Sequence, residues 1–175
     1  AAQIKAKVLL RQEKPQDALA VLEPYAKKTK DDDIKLDYAR TLILLDRRAD
    51  AMPWFKQLYE SQPDDDGIFY TLGLLYLEQK EYSFAEPLFR KLLTIPSRKP
   101  DANYFLGQVY EGQKSNLQAI AFYQMALPNS TFANEAASRA ANLLVKEKSL
   151  DAALKWLDEQ VNNLAFNHAR QADIY

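Results

Sequence analysis

Small residues recur along this chain at an almost constant spacing. Their steps are 33, 34, 34 and 33 residues, and the column consists of Ala18, Ala51, Ala85, Ala119 and Ala152. Four residues after each comes a large apolar residue: Leu22, Phe55, Phe89, Tyr123 and Trp156. Twelve residues before each comes another small one: Ala6, Ala39, Gly73, Gly107 and Ala140. Such a period predicts an array in which each unit buries its apolar face against its neighbours.

Apolar residues within each copy recur at steps of three and four, as in Phe69, Leu72, Leu75 and Tyr76. This is the period of an amphipathic α-helix, so the chain is predicted to be all-α. Small residues let paired helices approach closely, and we expect Gly73 and Gly107 to serve this purpose. Turns are predicted at 31–33, 63–67 and 96–100, with aspartates acting as helix N-caps.

The two central copies resemble the tetratricopeptide repeat, a helix–turn–helix unit of 34 residues. The matching residues are Phe69, Leu72, Gly73, Tyr76, Ala85 and Phe89, then Leu106, Gly107, Tyr110, Ala119, Tyr123 and Ala126. The resemblance implies a right-handed superhelical solenoid with repeats at 1–31, 32–65, 66–99, 100–132 and 133–166 and a partial sixth at 167–175. Because apolar residues stand near both ends, we expect one array that is a fragment of a longer protein.

The composition offers little for catalysis or for nucleic-acid binding. Lys and Arg number 23 against 24 Asp and Glu, so no basic field attracts nucleic acid. With no cysteine, disulfides and thiolate metal sites are excluded, and no apolar run is long enough to span a bilayer. His168 is the single histidine, and we interpret it as a packing or surface residue. We therefore predict no catalytic residue, no metal site and no cofactor.

The remaining candidate for a function is binding at the protein surface. In the resembled family, the first helix of each repeat lines a concave groove that holds a segment of a partner protein. Carried over by register, the predicted partner-binding residues are Leu36, Arg40, Tyr70, Leu74, Leu77, Tyr104 and Gln108. Aromatic side chains with one polar tip make good anchors, since they bury much area with few rotamers to fix. The alternatives are that Tyr70 and Tyr104 pack inside the array, or that another part of the full-length chain fills the groove.

The predicted function is that of a non-catalytic scaffold or adaptor for a protein or peptide partner. Two alternatives stay open. In the first, the chain is a spacer or self-associates, for example as a homodimer through its exposed end helices. In the second, it is the regulatory arm of an enzyme whose catalytic domain lies elsewhere.

The sequences of two later copies also resemble a narrower group of proteins. The segments at 104–111 and 119–123, followed by 133–144 and 150–154, look like repeats of Gram-negative envelope lipoproteins that act as protease adaptors. This resemblance implies a bacterial protein in the periplasm or at the outer membrane. Without it, a cytoplasmic location is expected.

Overall fold

The computed structural model describes residues 2–128, 130–147, 151 and 153–160, and their regular structure is helical throughout. The helices are α1 (Ala2–Arg11), α2 (Pro15–Ala26), α3 (Asp32–Leu44), α4 (Arg48–Ser61), α5 (Asp66–Glu78), α6 (Tyr82–Leu92), α7 (Lys99–Gly112), α8 (Asn116–Ala126) and α9 (Ala133–Glu147). Residues 153–160 are helical as well. The predicted all-α class of helix–turn–helix repeats is confirmed. The chain divides into two compact units, 1–75 and 76–175.

In unit 1, consecutive helices pack together: α1 against α2, α2 against α3, and α3 against α4. The predicted columns form its core, since Ala18, Leu22, Ala51 and Phe55 are all fully buried. The first helices are also tied directly, because the Gln3 amide donates to the Asp37 carboxylate at 2.8 Å. α1 therefore contacts both its partner helix α2 and the first helix of the next repeat, α3.

In unit 2, α6 packs against α7, α7 against α8 and α8 against α9, and α7 also contacts α9. The ring of Tyr123 lies so close to the backbone of Gly107 that a Cβ at residue 107 would collide with it. Tyr123 and Ala119 are fully buried. The predicted role of Gly107 as a close-packing glycine is confirmed.

In the four helix pairs from α1 to α8, the turn between the two helices has a conformation that was not predicted from the sequence. One residue per turn has a positive φ, between 57° and 62°, and none is glycine: Glu13, Asp46, Lys80 and Lys114. The next residue donates its backbone N–H to a carbonyl five residues earlier, as from Ser115 to Tyr110 at 2.9 Å. This is the left-handed helix ending that glycine usually provides.

The turns between repeats match the predicted aspartate caps in two places. The Asp31 carboxylate accepts from the Asp33 N–H at 3.0 Å at the start of α3, and the Asp65 carboxylate accepts from the Ile68 N–H at 2.9 Å at the start of α5. The turn predicted at 96–100 is shorter than expected, because α7 already begins at Lys99. Proline fits the first turn of a helix, where its missing N–H costs no bond.

Several predicted features lie outside the described residues. They are Ala152 of the small-residue column, His168 and the partial sixth repeat at 167–175.

Gly107→Ala tests the close approach in the core of unit 2. The added methyl group meets the ring of a fully buried tyrosine, which has no room to move. Overpacking of this kind costs about 1–3 kcal/mol, more than the roughly 1 kcal/mol that alanine gains over glycine in a helix. We expect thermal denaturation to show a lower Tm.

Gly112→Ala is the matched control for this substitution. A Cβ at residue 112 meets the ring of Tyr82, which is only half-buried and can swing outward. Its Tm is expected to fall less than that of Gly107→Ala. An equal or higher Tm for Gly107→Ala than for the wild type would contradict the packing account.

Candidate functional site

Unit 2 contains a cleft of about 300 Å³ between its first helices. Its walls come from the end of α5, the turn and first residue of α6, the second half of α7, and α9. The lining residues are Leu77, Glu78, Lys80, Tyr82, Gln108, Glu111, Gly112 and Arg139. Two residues predicted from sequence as partner-binding, Leu77 and Gln108, therefore meet in one cleft.

One side of this cleft is apolar. The ring of Tyr82 lies over the backbone of Gly112, where any larger residue would collide with it. Both Tyr82 and Leu77 are half-buried, so each keeps part of its apolar surface open to the cleft and solvent. A partner side chain with an aliphatic stem could cover this surface.

The opposite side is polar and is built around Glu111. Its Oε2 accepts from the Tyr123 hydroxyl at 2.5 Å and from Arg139 Nη1 at 3.1 Å. Arg139 Nε in turn donates to Glu135 at 3.2 Å. A buried tyrosine hydroxyl needs an acceptor, and here the acceptor is the residue that also fixes the arginine.

Tyr104 extends this network beneath the cleft. Burial and a hydrogen bond to Glu135 raise the pKa of Tyr104 to about 12. The same bond, followed by that from Arg139, holds the pKa of Glu135 below its ordinary value of 4.5. Burial alone would lower the pKa of Arg139, but its bond to Glu111 and the negative charges around it raise the pKa, so the guanidinium stays charged.

Tyr104 itself is buried, with 2% of its surface exposed. Phe132 stacks on its ring with centroids 4.5 Å apart. The segment carrying Phe132 is held by the Asp101 carboxylate, which accepts from the Ser130 hydroxyl at 2.8 Å and from the Thr131 N–H at 3.0 Å. The expectation of an open anchor at Tyr104 is therefore corrected: its ring occupies the packing role that was the alternative.

The other predicted residues lie in unit 1. Leu36, Tyr70 and Leu74 are half-buried, and Arg40 is exposed. The Arg40 guanidinium lies beside the start of α5, with Nη2 3.5 Å from where a Cβ of Gly67 would stand. Lys7 pairs with Asp37 at 3.7 Å on the neighbouring first helices, so this part of unit 1 carries mixed charge.

Sequence reasoning missed the arginine on which the polar side of the cleft depends. Arg139 is separated from Glu111 by 28 residues, and no local pattern joins them. A weak signal did exist, since Glu135 and Arg139 are spaced i and i+4 on one helix. The hydroxyl of Tyr123, in a column otherwise occupied by hydrocarbon side chains and one indole, was a second hint.

Two further properties belong to the described part of the chain. Its Asp and Glu side chains form no group of three or more that could hold a metal ion. None of its helices combines the length and the apolar character that crossing a membrane requires.

Glu135→Gln tests the charge on the network through its pH dependence. A carboxylate with a lowered folded pKa adds stability above about pH 4.5, and that stability is lost as the pH falls through the folded pKa. Glu135 is exposed, so screening keeps the effect below about 1 kcal/mol. We expect the variant's Tm to be slightly lower than the wild type's at neutral pH and equal to it near pH 3, measured by circular dichroism. A Tm difference that is unchanged at acid pH would assign the loss to packing instead.

Comparisons with known proteins agree on the family. Two family models, each described as a tetratricopeptide repeat, match residues 9–75 and 70–134, and together they cover more than half of the chain. Human RANBP2-like and GRIP domain-containing protein 1 is 30% identical over 90 residues, which are 51% of this chain and 5% of that protein. Human E3 SUMO-protein ligase RanBP2 is 29% identical over 85 residues, 48% of this chain and 3% of that protein. The chain thus spans a small fraction of these relatives.

Solved structures show the same fold at lower identity. MamA residues 41–end from Desulfovibrio magneticus RS-1 match with a TM-score of 0.79 and 20% identity, over 92% of each chain. A crystal structure of MamA matches with a TM-score of 0.77 and 16% identity, over 94% of this chain and 96% of that one. The resemblance to envelope lipoproteins stays a prediction. The chain belongs to the tetratricopeptide repeat family, whose helix pairs build protein-interaction scaffolds.

Proposed function

We propose that this chain is a non-catalytic adaptor that binds a segment of a partner protein on the exposed face of its first helices. We call this surface the first-helix face of each unit: in unit 1 it consists of Leu36, Arg40, Tyr70 and Leu74, and in unit 2 of Leu77 and Gln108. Tyr104 supports this face from below and does not belong to it.

The observation that carries the proposal is the incomplete burial of large apolar side chains at repeated register positions. Leu36, Tyr70, Leu74 and Leu77 are all half-buried, whereas the core columns of the same repeats are fully covered. Apolar surface left open at fixed steps along a scaffold is what an extended or helical partner segment can cover.

Charge beside these apolar positions would orient the segment. In unit 1, Arg40 is exposed, so a partner can reach its guanidinium. In unit 2, the cleft offers both carboxylates and cations within a small volume. Charges at the rim of an interface set orientation and association rate more than affinity.

A second candidate is self-association through α1. Ile4 is 70% exposed and Val8 48% exposed, and their spacing of four places both on one side of the helix. Copies of this chain could cover that stripe.

Affinity capture with two matched variants tests the first-helix face. The face variant is Leu36→Ser with Leu74→Ser; the control is Leu117→Ser with Met125→Ser, two residues of α8 that are 64% and 50% exposed. Each variant removes two apolar side chains. The wild type is used to capture proteins from an extract of the source organism, and quantitative mass spectrometry measures the amount of each. We expect these amounts to fall about tenfold with the face variant and to be unchanged with the control.

The melting curve of each bait controls for folding. Should the face variant melt early, Arg40→Glu replaces it, because that side chain is exposed and its exchange leaves the core intact. Equal capture by face variant and control would overturn the proposal. Recovery of this same chain as the main captured protein, undiminished by the face variant, would favour self-association.

A further inference from the structure

We infer that the cleft of unit 2 is a subsite for one cationic side chain of the partner segment, and that arginine fits it best. The inference rests on the proposed function and deepens it, since it names the chemistry that this part of the face recognises.

The first step concerns which hydrogen-bonding groups the network leaves unused. Gln108 and Glu135 lie close enough to the Tyr104 hydroxyl to affect its pKa. At Glu111, Oε2 accepts two bonds, while Oε1 lies outside both of them. Glu111 Oε1 is therefore an acceptor on the cleft lining that a donating ligand can use.

The second step concerns charge. Arg139 lies between two carboxylates, Glu111 and Glu135, so this trio carries a net charge of −1. At the rim, the exposed charges of Glu78 and Lys80 offset each other. A carboxylate ligand at Arg139 would compete with the two carboxylates already bonded to it, whereas a cation beside Glu111 meets the negative excess of this trio.

The third step concerns shape. A cleft of about 300 Å³ is at the small end of ligand sites, so it suits one long side chain and excludes a helix. Leu77 and the ring of Tyr82 can cover the aliphatic stem. A planar guanidinium can stack on the tyrosine ring while it donates to Glu111 Oε1, and this stacking favours arginine over lysine.

Titration with a short peptide tests this subsite directly. The probe is Ala-Ala-Arg-Ala-Ala, acetylated and amidated so that arginine bears its one charge; the matched peptides carry citrulline or glutamate in place of arginine. In ¹H–¹⁵N spectra of the whole chain, we expect the arginine peptide to shift the amides of Gln108, Glu111 and Gly112 with a Kd of about 1 mM. The citrulline peptide should bind at least about tenfold more weakly, since its urea group is neutral and has an acceptor oxygen in place of one NH2 donor.

Variants separate a specific subsite from diffuse attraction. Glu111→Gln is expected to weaken the arginine peptide about tenfold, and the exposed rim variant Glu78→Gln about twofold to threefold. Glu147→Gln removes an exposed carboxylate elsewhere in the same unit and should leave the affinity unchanged. Because Glu111 also holds Tyr123, the Glu78 variant keeps the test valid if Glu111→Gln loses stability.

Three results would overturn the inference: no cleft shifts with the arginine peptide, equal binding of the citrulline peptide, or stronger binding of the glutamate peptide. Partner capture that still depends on Leu36 and Leu74 would then leave the proposed function standing. Loss of that dependence as well would remove both.

Discussion

Close approach between a small residue on one helix and a large ring on the next is the contact on which the rest of this structure depends. Gly107 and Tyr123 show it most clearly, because the ring lies where a side chain at residue 107 would be. That approach also determines where the tyrosine hydroxyl points. At this depth it meets Glu111, and Glu111 in turn fixes Arg139. The polar side of the cleft thus follows from a packing contact in the core.

The sequence predicted the parts of the fold that repeat. The small and large columns are core positions, and Asp31 caps a helix as expected. The positive-φ turns escaped prediction because ordinary charged residues such as Lys80 and Lys114 occupy a conformation that usually calls for glycine. Their bonds involve only backbone atoms, so the side chains at these positions carry no clear signal.

The candidate site was predicted in outline, and its errors have a common physical cause. Leu77 and Gln108, which register had assigned to the groove, both line the cleft, because helical periodicity is local. The burial of Tyr104 depends on Phe132, 28 residues later in the sequence, and on the anchoring of that segment by Asp101. Contacts between successive repeats leave no pattern in a single sequence, even though each repeat is recognisable alone.

Site-specific photo-crosslinking tests the central claim, that the first-helix face binds the partner, most directly. A photoreactive phenylalanine analogue at Leu77 would probe the cleft, and the same group at Leu117 would probe the exposed side of α8. After irradiation in the native extract, we predict a crosslinked partner protein from residue 77 and none from residue 117. Crosslinking from residue 117 alone would show that the partner binds elsewhere and would contradict the account.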